Sequence, residues 1–543
     1  MILNHRLWEF AELEAFWKYF LPLSIYGKKQ KDLKLFFTSP HALLGEYDRL
    51  ERALQFLETH SDRIAGIEDA LSRLPEIPSC VPNCCWGDDV FLFKKFLVNY
   101  ERIVKSLPSF VQSEFAVEFH STELLDFLRL SDAGVGDESF YLTEKFSEEL
   151  ASVRKRIRAL DEKSKSIRAE HFDFLQSQFA IDFRCRDFVV LAAERARSLP
   201  PEHFVREPFD SHNFVVRPVF PAQLLDFAAE REGLVAAEHV AENRVYEIIT
   251  QKIALELPAL QSYVEAVTRL DMALAKARLA KEFGMSRPQI SQSEIISVTE
   301  GRYLPLAIRC LAEDLRYWPL SICLKKKGNV VFGSNMGGKT VVLRSLAFFQ
   351  VLAQMGFYVP ADSFSTSVFE SISYVGSVSV ADSENTHEGL SGFGQEICDF
   401  SKVLESEARP VLVLMDEFAR TTNSAEASAL LSAVLEEFSE RKGMFGVVST
   451  HFMDLKVSAS TCGFYRMKGL NRLAYAESFH ETERKNETLV ERIHRVSRFM
   501  QYEVVSETHL APVRDAIAIA EVLGLSSDVI QKAKRYVGEK NER

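Results

Sequence analysis

The sequence lacks any run of about 18 or more apolar residues, so it offers no segment able to cross a bilayer as a helix. Its opening, MILNHRLWEFAELEAFW, places acids where a secretory leader needs a basic and then uniformly apolar stretch. Both absences predict a cytoplasmic protein. Cysteine is scarce: eight in 543 residues, scattered as Cys80, Cys84, Cys85, Cys185, Cys310, Cys323, Cys398 and Cys462, which excludes a disulfide framework. Cys80, Cys84 and Cys85 crowd together but have no fourth ligand at a usual spacing, and adjacent cysteines fit poorly around one tetrahedral ion, so they read as free thiols. An excess of positive charge is missing as well. With 65 Lys+Arg against 77 Asp+Glu the net charge is −12, so any affinity for nucleic acid needs a local basic surface in place of a diffuse field. No internal repeat or low-complexity tract stands out.

What is present is an ordinary globular composition, 47% hydrophobic and 26% charged. A prior of roughly one domain per 150 residues suggests about three or four structural units. Up to about residue 300 the text reads as long helices, with apolar residues three and four apart. Leu43, Leu44, Tyr47, Leu50, Leu54 and Leu57 form one such stripe, the pattern of core packing. Leu142 to Phe179, free of proline and glycine, predicts one long helix. It carries the most basic helical stretch of the chain: Arg154, Lys155, Arg156, Arg158, Lys163, Lys165 and Arg168 against Asp161 and Glu162. A solvated face and a phosphate-contacting surface both fit that run.

The period changes between 183 and 220. Asp187-Phe-Val-Val-Leu and Asn213-Phe-Val-Val-Arg read as short strands parted by Pro200, Pro201 and Pro208, a small insertion at about 185–245. Helical spacing resumes from Ala222 to Phe283, and Ser286-Arg-Pro closes this half. Beyond Gly301, apolar runs alternate with helices: Asn329-Val-Val-Phe, Val411-Leu-Val-Leu-Met and Met444-Phe-Gly-Val-Val-Ser. Strands buried on both faces imply an α/β layer with a mainly parallel sheet. Ala511 to Val537 reads as two helical pieces hinged near Gly524.

Three motifs carry chemistry. Gly333, Ser334, Asn335, Met336, Gly337, Gly338, Lys339 and Thr340 fit G-x-x-x-x-G-K-[ST] between a strand and a helix. Glycines let successive backbone N–H groups and the positive end of the helix surround a β-phosphate. Lys339 then reaches the β and γ phosphates, and the Thr340 hydroxyl binds Mg²⁺. A buried strand ending in Asp416-Glu417 delivers two acids to the same sheet edge, Asp416 for the hydrated metal and Glu417 to polarise the attacking water. Ser449-Thr450-His451 ends a third strand, where His451 fits either a structural or a water-orienting role.

The loop Gly-Ser-Asn-Met-Gly-Gly-Lys-Thr resembles the MutS-family version, and Leu352-Ala-Gln-Met-Gly-Phe-Tyr-Val-Pro-Ala361 is similar to its continuation. Ser391-Gly-Phe393-Gly-Gln-Glu396 resembles the family's Ser-Thr-Phe-Met-x-Glu signature, whose serine reaches the γ-phosphate in the opposite subunit. Ser449-Thr450-His451-Phe is similar to the family's Thr-His switch, Asp515 to Ala533 to its dimerising helices, and Gly301-Arg302-Tyr303 to its Gly-Arg-His. Tyr317 or Trp318 is then a candidate for stacking on adenine. There are departures. Ser334 replaces a proline, one residue of the Ser-Thr pair after the lysine is absent, Gly392 replaces the signature threonine, and Ala419-Arg-Thr-Thr-Asn replaces Gly-Arg-Gly-Thr.

The resemblance implies an α/β P-loop NTPase domain of ABC-ATPase type joined to a mostly α-helical core and lever domain with a small strand-containing clamp. The expected division is 1–300 for core, lever and clamp, 301–505 for the ATPase domain and 506–543 for the dimerising helices. It resembles the reduced relatives without the mismatch-reading and connector domains or a nuclease-type tail; Phe10-Ala-Glu12 mimics the reading motif inside a helical stretch. The implied function is an ATP- and Mg²⁺-dependent homodimeric ATPase, with Ser391 acting in the partner's site, that clamps DNA in repair or recombination through the Arg154–Arg168 surface. An alternative keeps the engine and changes the cargo: ATP-driven remodelling or reactivation of a metabolic enzyme such as a cobalamin-dependent aminomutase.

Overall fold

The computed structural model describes residues 5–78, 85–131, 139–334, 336–376, 392–471, 474, 498–510 and 515–539. Contacts gather the chain into two compact units, one of Met1–Ala65, Pro108–Ala116 and Val267–Arg543, the other of Gly66–Leu107 and Val117–Ala266. The sequential division expected from the sequence cuts across the first of these, because the chain's opening residues pack into the C-terminal core.

In the second unit, Ser147 caps the helix Glu148–Phe179 by accepting from the Leu150 amide. The helix therefore starts at Glu148; the expected start at Leu142 fails because Glu144–Phe146 form a separate 3₁₀ turn. The helix Ala222–Glu282, whose residues up to Ala266 belong to this unit, runs against it. Glu149 pairs with Arg244, Arg154 with Glu238 and Glu242, and Asp161 with Arg231, so numbers rise on one helix as they fall on the other, which is an antiparallel pair. Ile157, Leu160 and Leu234 pack between them. Three strands, β1 (Val189–Ala192), β2 (Phe204–Pro208) and β3 (Asn213–Pro218), form an antiparallel sheet ordered β1-β3-β2. β2 escaped the sequence pattern because Arg206 and Glu207 break its apolar alternation.

The first unit holds two further sheets. β4 (Gln289–Ile290), β5 (Ile296–Gly301), β6 (Leu320–Leu324) and β8 (Ser363–Thr366) are ordered β4-β8-β5-β6. The larger sheet joins β7 (Gly328–Phe332), β9 (Ser371–Val375), β10 (Val411–Asp416), β11 (Met444–Thr450), β12 (Cys462–Leu470) and β13 (Met500–Glu507) in the order β13-β12-β7-β11-β10-β9. All its pairings are parallel except β12 with β13.

Strand alternation sends its residues to two cores. Leu412, Leu414, Phe445, Val447 and Val331 face one with the helix Lys339–Gln354, while Val411, Val413, Met415, Met444, Val448, Val330 and Phe332 face another with the helix Ser424–Glu440. Both faces of β10 and β11 are therefore covered, which is why these strands read as continuous apolar runs.

The segment 5–20 joins the first of these cores. Phe10 is buried and stacks on Tyr374 with ring centroids 3.8 Å apart, so Phe10-Ala-Glu12 belongs to the core and presents no free ring. Glu12 accepts from Arg309 and Arg344 at 2.6 Å each. Leu43, Tyr47, Leu50 and Leu57 are buried as expected, but Leu44 is exposed and Ala53 and Phe56 complete the stripe.

Buried Asp271 accepts from the amides of Leu23 and Ser24 at 3.0 and 2.8 Å and from the Ser24 hydroxyl at 2.6 Å, and burial raises its carboxyl above the usual carboxylate range. Asp271→Ala leaves these donors orphaned. We expect it to cost about 2–4 kcal/mol, read as a lower denaturant midpoint; an unchanged midpoint would show that these bonds hold nothing together.

Candidate nucleotide site

Register levels the carboxyl ends of three strands. Asp416 stands opposite Ser449, Ser449 opposite Val331, and Thr450 opposite Phe332, after which the chain enters the 333–340 loop. Parallel strands align their ends in this way, so residues far apart in sequence meet at one edge.

The loop is shaped by glycine. Gly333 and Gly338 have φ of 150° and 91°, conformations side chains resist, and a Cβ on Gly337 would lie 3.0 Å from the Ser334 carbonyl. Lys339 is 3% exposed; its ammonium donates to the carbonyls of Gly333 and Ser334 at 3.1 and 3.0 Å and lies 3.7 Å from Glu417 Oε1. Burial pushes its pKa below the ordinary lysine range, against the pull of Glu417 and Asp416. The Thr340 hydroxyl donates to Asp416 Oδ1 at 3.2 Å. The donor set fits Mg-nucleotide: an ammonium and a helix N-terminus for phosphate, a hydroxyl beside a carboxylate for the hard cation. The Ser334 hydroxyl is buried without a hydrogen-bond partner among the described residues.

Glu417 is held from several sides. Its amide donates to the Ser449 carbonyl and hydroxyl, each at 3.1 Å, and its Oε2 accepts from Arg420 Nη1 at 3.0 Å. His451 Nδ1 is 4.0 Å from Glu417 Oε1 and has no hydrogen-bond partner among the described residues. Ser449 also donates to Asp416 Oδ1. Two residues that sequence reasoning did not single out, Ser449 and Arg420, thus position the acidic pair. The signal for Ser449 was its place beside Thr450-His451 in a strand parallel to β10. Arg420 stands in the stretch Asp416-Glu417-Phe-Ala-Arg420, which resembles the MutS family's acidic strand and the loop after it, but that resemblance attaches no role to it.

A cavity of about 740 Å³ is lined by Lys339 and Thr340 together with Leu306, Cys310, Tyr317, Trp318 and Tyr502. Tyr317 and Trp318 therefore both reach the candidate base-binding space. The Tyr317 hydroxyl accepts from the Tyr303 amide at 2.7 Å, which fixes its ring. Glu396, on the helix Gly392–Glu405, accepts from the Ala419 amide at 2.9 Å. Ser391 lies outside the described residues, as do Asn335, Cys80 and Cys84; among the described residues no cluster suits a metal ion by its own ligands. No described helix is long and apolar enough to cross a membrane.

The supposed DNA surface is less free than its sequence suggests. Arg154 and Arg158 are tied to Glu238, Glu242 and Glu144, and Arg168 lies against Phe172 and Phe220 and 4.0 Å from Asp187. Lys155, Arg156, Lys163 and Lys165 are exposed and carry no ion pair among the described residues.

A glycine-rich loop between a central strand and a helix, with an acidic pair ending the strand two places away, defines a P-loop nucleotide-binding domain. Residues 329–539 match the MutS domain V family, which is an ATPase domain. An Endonuclease MutS2 of Thermomicrobium roseum is 30% identical over 326 residues, 58% of this chain and 40% of that protein. One of Caldanaerobacter subterraneus is 24% identical over 523 residues, 94% of this chain and 60% of its own length. A DNA mismatch repair protein MutS of Anaeromyxobacter is 29% identical over 240 residues, 42% of this chain and 27% of that protein. The chain thus spans no more than 60% of the length of these relatives.

Proposed function

We propose that the chain binds and hydrolyses ATP as a homodimer and couples its nucleotide state to the clamping of DNA. The observation that carries this reading is the meeting of the 333–340 loop with Asp416 and Glu417 at one sheet edge. Backbone amides of the loop and Lys339 bind the phosphates, and Thr340 and Asp416 hold Mg²⁺. The bound cation supplies positive charge to the phosphate oxygens. Glu417 accepts a proton from the attacking water, His451 orients that water, and Ser391 of the partner subunit completes the site. Closure of the dimer, helped by the helices of 506–543, moves the helical half and changes its grip.

DNA as the partner is supported by the mismatch-repair role of the Anaeromyxobacter relative. At 100° per residue Lys155, Arg156 and Lys163 fall within an arc of about 100°, a face able to meet a phosphate backbone. Titrating salt against duplex and branched DNA, with and without ATP, tests this directly. Affinity should fall steeply with salt, and replacing these three residues by alanine should flatten the log–log slope by up to about 0.9 for each phosphate that is no longer neutralised. Absent or salt-insensitive binding favours a protein client instead. That second reading draws on the net charge of −12 and on Arg154 and Arg158 being engaged within the fold.

A further inference from the structure

The segment after β10 holds an unusual backbone. Glu417 and Ala419 have φ of 50° and 62°, both left-handed and neither glycine. Such residues persist only where surrounding contacts over-determine them. Within the segment, Arg420 and Thr422 donate back to the carbonyls of Glu417 and Ala419 at 3.2 Å each, and the Glu417 amide is tied to Ser449. At Ala419 the amide donates outward, to Glu396 Oε2 at 2.9 Å. Glu396 is only 7% exposed, and burial holds its carboxyl above the ordinary range while the Ala419 amide and Arg420 pull the other way. One turn further along the same helix Phe400 meets Phe418, with ring centroids 6.3 Å apart. Residues four apart share a helix face, so the helix Gly392–Glu405 grips two consecutive residues of the segment, one by a hydrogen bond and one by a ring.

We propose that Glu396 is a positioning residue for Glu417: by accepting from the Ala419 amide it sets the left-handed turn that aims the Glu417 carboxylate. The helix that carries it begins at Gly392, directly after Ser391. This rests on the reading of Glu417 as the base.

The test uses Glu396→Met, which keeps volume and helix preference but removes the acceptor, and Glu396→Gln, which keeps a carbonyl oxygen for the Ala419 amide. Single-turnover hydrolysis and equilibrium nucleotide binding are measured on the full chain, each alone and combined with Glu417→Gln. Glu396→Met should slow hydrolysis about tenfold while nucleotide affinity stays within about twofold; Glu396→Gln should keep the rate within about threefold of wild type. In the Glu417→Gln background Glu396→Met should add nothing, since its effect passes through that carboxylate. A wild-type rate for Glu396→Met, an equal loss in both Glu396 variants, or an undiminished loss in the Glu417→Gln background overturns the proposal. A Glu417→Gln chain that turns over at the wild-type rate shows instead that the reading of Glu417 has failed, and the proposal falls with it.

Discussion

Lys339→Ala should lower nucleotide affinity by at least about 100-fold while leaving the domain folded. The ammonium is almost fully buried and held 3.0–3.1 Å from two loop carbonyls, at the start of a helix whose free amides point the same way. A charge-assisted hydrogen bond to phosphate contributes about 1.5–3 kcal/mol, and Lys339 is placed for more than one. Its removal also leaves Asp416 and Glu417 without the cation between them and an incoming polyphosphate, which adds repulsion to the lost attraction. The fold itself should suffer little. Burial already disfavours the charged lysine, so deleting it relieves part of a desolvation cost as it removes two hydrogen bonds. Lys339→Arg should fail to rescue, because a planar guanidinium fork does not reproduce the two loop-carbonyl bonds that one compact ammonium makes from a single point. Equilibrium binding of labelled ATP, with a thermal melt as the folding control, gives the answer; wild-type affinity in Lys339→Ala would remove the foundation of the proposed function.

The parts of this site that were legible in the sequence are those where local pattern and chemistry coincide. Val411 to Met415 reads as a doubly buried strand because every residue is apolar, and the acids that follow must then emerge at its carboxyl end. The glycines of 333–338 announce a backbone that side chains would obstruct. What escaped depends on distance or on strain. Glu12 meets Arg309 and Arg344, partners about 300 residues away, and no periodicity in MILNHRLWEFAELEAFW encodes that. Arg154 and Arg158 look like free cations in a linear reading because the acids that engage them sit on a separate helix and a 3₁₀ turn. Ala419 in a left-handed conformation is invisible too, since alanine ordinarily signals helix; only the departure from Gly-Arg-Gly-Thr marked the position. β2 was lost to its charged residues, which break the apolar alternation of a strand that is recognisable only once β3 is beside it.

Glu417→Gln should separate binding from chemistry. The carboxylate lies 3.7 Å from the Lys339 ammonium and 4.0 Å from the imidazole of His451, with Arg420 on its other oxygen, so it stands between the phosphate-binding group and the candidate water-orienting ring. Glutamine keeps the volume and can still accept from Arg420, but it cannot take up a proton. General-base assistance contributes roughly 10²–10⁴ in rate, so hydrolysis should fall by about 100- to 1000-fold in single turnover. Affinity should hold or rise slightly, since one negative charge leaves the neighbourhood of the phosphates. A fall in kcat without a rise in KM is the signature of a group that acts on the reacting water and not on the bound nucleotide. The variant should then accumulate in its ATP-bound form, and whichever partner that form grips should dissociate more slowly. Were Glu417→Gln to hydrolyse ATP as fast as wild type, the carboxylate would be a counterion to Lys339 and Arg420 and the base would have to be sought elsewhere. Were both chains to show no turnover while binding ATP tightly, the engine would be a nucleotide-gated clamp, with closure set by binding alone and release set by nucleotide dissociation.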